Sequence, residues 1–132
     1  MRILKLGLCT GIAAAAMIAG LQAPAWASTE YLWTAGGYGL WSADPSSGDP
    51  GDAIKACDTS SDGWAIQVSL NWGDATHTRT IDTRGHQSGY CTGWATGDIP
   101  ESETVDITVQ QVKLGDDGKL HYQNPVHFQR QA

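Results

Sequence analysis

The stretch WAIQVSLNW at residues 64–72 decides the fold class of this chain. Its apolar side chains fall on every second residue, with glutamine, serine and asparagine among the residues between them. Successive side chains of a β-strand point to opposite faces, so this alternation predicts a strand with one buried and one solvated face. We expect the apolar face, including both tryptophans, to belong to the core. Its members are Trp64, Ile66, Val68, Leu70 and Trp72.

A second long strand is predicted at residues 104–114. Apolar residues alternate there up to Val109, and the alternation resumes one position late at Val112, after Gln110 and Gln111. A slip of one residue in a period of two is typical of a β-bulge.

A hairpin is predicted at the end of the chain. The sequence GDDG at residues 115–118 indicates a turn, and residues 119–128 return as the partner strand. Pro125 interrupts that strand. Proline has no amide hydrogen to donate, so we expect this strand to lie at the edge of its sheet.

The remaining strands are shorter, and no stretch after residue 27 has a helical period. Glycine and proline separate them, most clearly in the loop DPSSGDPG at residues 44–51. About seven short strands in about a hundred residues predict a single-domain, all-β fold, an immunoglobulin-like β-sandwich, with a small β-barrel as the alternative. These strands are predicted at residues 30–34, 38–43, 54–57 and 75–83, with a weaker one at 90–94.

Residues 1–27 have the pattern of a cleaved secretory signal peptide. Arg2 and Lys5 precede an apolar run at residues 6–21, and Ala25-Trp26-Ala27 matches the small-x-small cleavage pattern. Glycines interrupt the apolar segment at residues 6–21. This segment is too short and too polar for a membrane anchor, which needs about 20 apolar residues. We therefore predict a protein secreted to the extracellular space, with one domain at residues 28–132.

The net charge of the chain limits the classes of partner that it can bind. The chain has 14 acidic and 8 basic residues, and loss of Arg2 and Lys5 with the leader changes the net charge from −6 to −8. An acidic surface argues against nucleic acid and anionic membranes as partners.

Cys9 leaves with the leader, so Cys57 and Cys91 are predicted to form one disulfide. Their wide spacing disfavours a zinc or redox site.

Residues 58–63, DTSSDG, have the spacing of a calcium loop, with oxygen donors at Asp58, Ser60 and Asp62. An EF-hand would place a glutamate at the twelfth position, where Ser69 stands, and no helix is predicted on either side. The pattern favours an Asx-type turn with Gly63 at positive φ. It leaves a weak calcium candidate, and we predict no other metal site and no cofactor.

Five tryptophans follow the leader, and exposed aromatic residues on a rigid β scaffold bind sugars or protein partners. Trp41 precedes the glycine- and proline-rich loop, and Trp94 lies in the polar stretch TGWATG. We predict that these two residues and Tyr90 are exposed and bind a ligand. The alternative is that the aromatic residues fill a small core.

The glycine-bracketed loop at residues 84–90 precedes Cys91, and a disulfide there would hold it rigid. Arg84 and His86 are its candidate contact residues. The chain has neither a Gly-x-Ser-x-Gly nor a His-Glu-x-x-His motif. We therefore predict a secreted, non-enzymatic binding protein for an extracellular polysaccharide or protein. The alternatives are an inhibitor of an extracellular hydrolase that presents the loop, and a small secreted enzyme with an unrecognised site.

Several stretches resemble small exported proteins of actinobacteria that have no assigned function. They are GDAIKACD at 51–58, DGWAI at 62–66, TRGH at 83–86 and YCT at 90–92, together with the leader ending Ala-Trp-Ala. The resemblance implies a secreted all-β domain. It implies no catalytic or binding residue.

Overall fold

The structure, a computed structural model, describes residues 29–132. The predicted signal peptide and Cys9 lie outside the described residues. Within them, no helix is long and apolar enough to cross a membrane. The chain forms seven strands: β1 (Glu30–Thr34), β2 (Gly37–Ser42), β3 (Ala53–Asp58), β4 (Ala65–Trp72), β5 (His77–Asp82), β6 (Thr104–Leu114) and β7 (Leu120–Gln131).

These strands form two antiparallel sheets. One sheet has three strands in the order β1-β2-β3, and the other has four in the order β5-β4-β6-β7. Their inner faces enclose one apolar core to which both sheets contribute. The predicted all-β sandwich of seven strands is confirmed. In the described part of the chain the strands do not close into the small barrel that was the alternative.

The core is built largely by the alternation in β4 and β6. Ile66, Val68 and Leu70 are completely buried, as predicted, and Trp72 packs half-buried against the core. The expectation that Trp64 belongs to the core is wrong. β4 begins only at Ala65, so Trp64 lies before the sheet starts and is half-buried outside the core cluster. The residues of β6 that complete this layer are Val105, Ile107 and Val109.

A register shift between β6 and β7 occurs at Val109/Gln111, close to the predicted β-bulge, but the prediction that β6 itself carries the bulge is wrong. The extra residue lies on β7, because Val109 pairs with Val126 while Gln111 pairs with Gln123. Against β4, β6 stays in continuous register. The edge position predicted from Pro125 is confirmed, since β7 has a neighbour on one side only.

Gln111 is a buried polar residue that forms several side-chain hydrogen bonds at one end of the sandwich. Only 3% of this residue is exposed, and its Nε2 donates to Asp62 Oδ2 at 2.8 Å. Its Oε1 accepts from the side-chain amides of Gln123 and Asn124 at 2.9 and 2.8 Å. Because a buried amide is costly when unpaired, these bonds hold the 58–63 turn against the β6–β7 hairpin.

The predicted disulfide between Cys57 and Cys91 is present, which indicates an oxidising environment. It attaches the segment after residue 89 to the free edge of β3. Backbone bonds join Asp58 N to Tyr90 O at 3.0 Å and Gly89 N to Asp58 O at 2.8 Å. The strand predicted at residues 90–94 is replaced by isolated bridges at Cys91 and Ala95.

Candidate functional site

Three aromatic side chains form an exposed patch on the outer surface of the three-stranded sheet. Within β1, Leu32 points into the core, so Tyr31 and Trp33 on either side of it point outward. They are 60% and 58% exposed. Tyr38 pairs with Trp33 across β1 and β2, and its ring centroid lies 4.6 Å from Trp33 and 5.2 Å from Tyr31. We call Tyr31, Trp33 and Tyr38 the aromatic face.

Glycines on the inner side of β2 explain why its neighbouring aromatic residue points outward. A Cβ added at Gly39 would lie 2.7 Å from Val68 Cγ2 and 3.0 Å from Val109 Cγ2. The two sheets therefore approach so closely that no side chain fits at this inner position. The intervening residue Tyr38 lies on the opposite side, beside Trp33.

The prediction that Trp41 is exposed and binds a ligand is wrong. It is 2% exposed, pairs with Ile54 of β3 and belongs to the core cluster. The physical reason is its place in β2, where it shares the inner side with Gly37 and Gly39. These glycines leave the interior volume that the indole ring of Trp41 helps to fill.

Trp94 lies on the same side of the sheet as the aromatic face, two strands further along. Lys55 Nζ is 5.1 Å from the Trp94 ring centroid. Lys55 pairs with Leu40, and Leu40 pairs with Tyr31, so all three lie on the outer side of the sheet. Trp94 is half-buried. It therefore lies at the margin of the outer surface that carries the aromatic face.

Sequence reasoning missed all three members of the aromatic face as binding candidates. The signal was present in the order Tyr31-Leu32-Trp33 of β1, where two aromatic rings flank one aliphatic residue. In a strand, such an order puts both rings on one side and the aliphatic residue on the other. If Leu32 is in the core, both rings must face away from it.

A groove of about 750 Å³ lies beside the four-stranded sheet. Residues 84–88 form part of its wall, and the 58–63 turn and the end of β6 also line it. Ala65 and Val112, which pair across β4 and β6, lie between them. The side chains that matter for its chemistry are Trp64, Arg84, His86, Lys113 and Leu114.

The predicted recognition loop thus contributes Arg84 and His86 to this groove. Arg84 Nε binds Asp82 Oδ2 at 3.1 Å. The His86 ring stacks on Tyr90 with centroids 3.6 Å apart and planes at 9°. Arg84 and His86 are exposed, whereas Tyr90 is half-buried between the loop and the disulfide. Trp94 does not line the groove.

The calcium candidates form the Asx-type turn that the sequence favoured. Asp58 Oδ1 accepts from Ser60 N at 3.0 Å, and Asp62 Oδ1 accepts from Trp64 N at 2.9 Å. Gly63 has φ +78°, which confirms the positive φ. Asp58 is only 6% exposed. Within residues 29–132, no group of three or more His, Cys, Asp or Glu side chains is arranged to hold a metal ion.

A smaller concavity of about 280 Å³ lies beside the groove and shares Trp64, Lys113 and Leu114 with it. His121 lines it and contacts Asp117 in the exposed turn after β6, with His121 Nε2 3.0 Å from Asp117 Oδ1. This hydrogen bond from His121 is the main cause that lowers the pKa of Asp117 below its ordinary value, and the Lys119 amide adds to it. The turn is therefore held by a charged carboxylate.

No protein-family model, curated protein or solved structure matches this chain. The resemblance to exported actinobacterial proteins therefore stays a prediction.

Proposed function

We propose that this protein is a secreted, non-enzymatic binding protein that holds a polysaccharide on the aromatic face. One observation carries the proposal: Tyr31 and Trp33 are each more than half exposed, and Tyr38 lies in contact with both. Exposing large aromatic rings to water is unfavourable, and contiguous apolar patches of this kind mark interaction sites.

The chemistry of the patch favours a sugar. A pyranose ring has an apolar C–H face, which packs on an aromatic ring, and hydroxyl groups at its edge. Tyr31 and Tyr38 each add a phenolic hydroxyl that both donates and accepts hydrogen bonds. The rings are tilted to one another by 47° and 49°, so the surface is stepped and suits a single glycan chain better than a flat crystalline layer.

The scaffold supports this role because it holds the rings in place before the ligand arrives. Trp33 and Tyr38 are paired residues of two hydrogen-bonded strands. A preorganised surface loses less conformational entropy on binding than a flexible one. The disulfide and the predicted signal peptide both support an extracellular location, where polysaccharides are the abundant polymers.

The test is co-sedimentation of the oxidised protein with amorphous chitin, amorphous cellulose and peptidoglycan, in which single glycan chains are accessible. Trp33→Ala is the test variant, and Tyr122→Ala is the matched control, because Tyr122 is 50% exposed but lies on β7 of the other sheet. We expect wild type and the control to sediment with at least one polymer and Trp33→Ala to lose at least tenfold in affinity. Equal sedimentation of all three proteins would exclude the aromatic face as the binding site. Absence of wild-type binding would exclude these polysaccharides and favour a protein partner.

The inhibitor alternative stays a prediction, and the geometry of Arg84 gives it little support. A reactive-site residue must project into an enzyme pocket, whereas Arg84 is bonded to Asp82 and lines a concave wall. If the loop nevertheless inhibits a secreted protease, Arg84→Ala should abolish inhibition, as measured by residual protease activity.

A further inference from the structure

The groove has the size and polarity of a ligand site in its own right. Its volume of about 750 Å³ falls within the range of about 300–1,000 Å³ typical of small-molecule pockets. It lies beside the four-stranded sheet, whereas the aromatic face belongs to the three-stranded sheet. The Cys57–Cys91 disulfide and Tyr90 lie between the two surfaces, because Cys57 pairs with Tyr38 and Tyr90 stacks on His86.

Two cationic side chains line the groove although the protein is acidic. Residues 28–132 contain six lysines and arginines against 14 acidic residues, and two of the six, Arg84 and Lys113, line this groove. His86 also lines the groove, where its ring stacks on Tyr90.

The acidic groups near these cations leave them available to a ligand. Asp82 binds Arg84 through Nε, which leaves the two terminal nitrogens of the guanidinium without a hydrogen bond inside the described part of the chain. Lys113 has no carboxylate within salt-bridge distance among residues 29–132, and its Nζ lies over the Trp64 ring, 5.8 Å from the centroid. Asp58 also lines the groove, but it is nearly buried and turned to the Ser60 amide.

The groups around the cations match a sugar more closely than a peptide. Trp64 offers an aromatic ring for a pyranose to pack on, and Ser60, Ser61 and Ser88, which carry hydroxyl groups, line the same groove. A planar guanidinium and an ammonium are the groups that bind carboxylates most strongly.

We infer that the groove is a second binding site, separate from the aromatic face, and that it takes an acidic oligosaccharide built from uronic acid residues. Arg84 and Lys113 bind carboxylates, Trp64 packs against a sugar ring, and the serines bind sugar hydroxyls. The inference does not depend on the aromatic face.

The test is isothermal titration calorimetry of the protein, expressed from the complete chain with its disulfide intact. The probes are trigalacturonate and its methyl ester, which keeps the sugar rings but removes the charges. Each charged hydrogen bond contributes about tenfold or more in affinity. We expect the ester to bind at least tenfold more weakly than the acid, and added salt to weaken only the acid.

Variants locate the site. We expect the double variant Arg84→Gln/Lys113→Gln to lose at least tenfold in trigalacturonate affinity. Lys119→Gln, which removes one exposed charge outside the groove, should leave that affinity unchanged. All the substituted residues are exposed, so circular dichroism should show intact folds.

Three results would overturn the inference. They are absence of trigalacturonate binding at millimolar concentration, equal binding of acid and ester, and an equal loss in Lys119→Gln. A triaspartate peptide could bind in a way that requires Arg84 and Lys113 while trigalacturonate does not bind. That result would show that the groove takes an acidic peptide and not an acidic sugar.

Discussion

Replacing Trp41 by alanine should destabilise this fold much more than replacing Trp33, although both are tryptophans of the same small sheet. Trp41 is 2% exposed, and a buried tryptophan removes about 150–250 Å² from water. At about 25 cal/mol per Å², its loss costs about 4–6 kcal/mol, which agrees with the 3–5 kcal/mol typical of Trp→Ala in cores. Trp33 is 58% exposed, so the same estimate gives about 2 kcal/mol.

Urea denaturation followed by far-ultraviolet circular dichroism measures both changes without relying on tryptophan fluorescence. The midpoint should fall strongly in Trp41→Ala and modestly in Trp33→Ala, with the slope m unchanged. Because the total stability of such a domain is about 5–15 kcal/mol, the Trp41→Ala protein would be only marginally stable. Trp41→Phe is the milder variant, and its denaturation midpoint should lie between those of Trp41→Ala and Trp33→Ala. A Trp41→Ala protein as stable as Trp33→Ala would refute the inward orientation of Trp41 and with it the outward orientation of the aromatic face.

Three further perturbations test the scaffold and the turn. Removing the disulfide as Cys57→Ala/Cys91→Ala should cost about 3.5–4 kcal/mol by the chain-entropy model for a separation of 34 residues; a loss below about 1 kcal/mol in urea denaturation would contradict it. Gly39→Ala forces a methyl group into the space between the sheets and should cost about 1–3 kcal/mol by the same assay, whereas an unchanged midpoint would disprove the close approach. Since hydrogen bonding to His121 lowers the pKa of Asp117, this carboxylate favours the folded state above its ordinary pKa, and the contribution is lost as pH falls through the lowered value. His121→Ala should raise the Asp117 titration midpoint seen by NMR towards the ordinary aspartate value, and identical midpoints would rule out the hydrogen bond.

Local patterns in the sequence predicted the seven strands and their turns, but they also predicted a strand at residues 90–94 that does not form. Alternation at residues 64–72 predicted β4, and Pro125 predicted the edge position of β7. The Asx-type turn before Trp64 was also predicted, because its hydrogen bonds span only two residues. Each of these features depends on neighbours within a few positions, which a single sequence displays.

The same reasoning failed for the exposure of the tryptophans. Alternation shows which residues of a strand share a face, but it does not show which face the other sheet covers. The polar loop after Trp41 suggested exposure, whereas packing of β2 against Val68 puts that residue in the core. Trp64 was expected in the core because it continues the pattern of β4, but it lies before the strand begins.

By itself, the sequence determined the all-β class, the approximate positions of the seven strands and the pairing of Cys57 with Cys91. Only the tertiary structure decided which aromatic rings face solvent, and only it brought Trp64, Arg84 and Lys113 to one groove. The physical reason is range: strand and turn preferences act between adjacent residues. A surface site depends on where two sheets press together and which segments, distant in the chain, are left side by side.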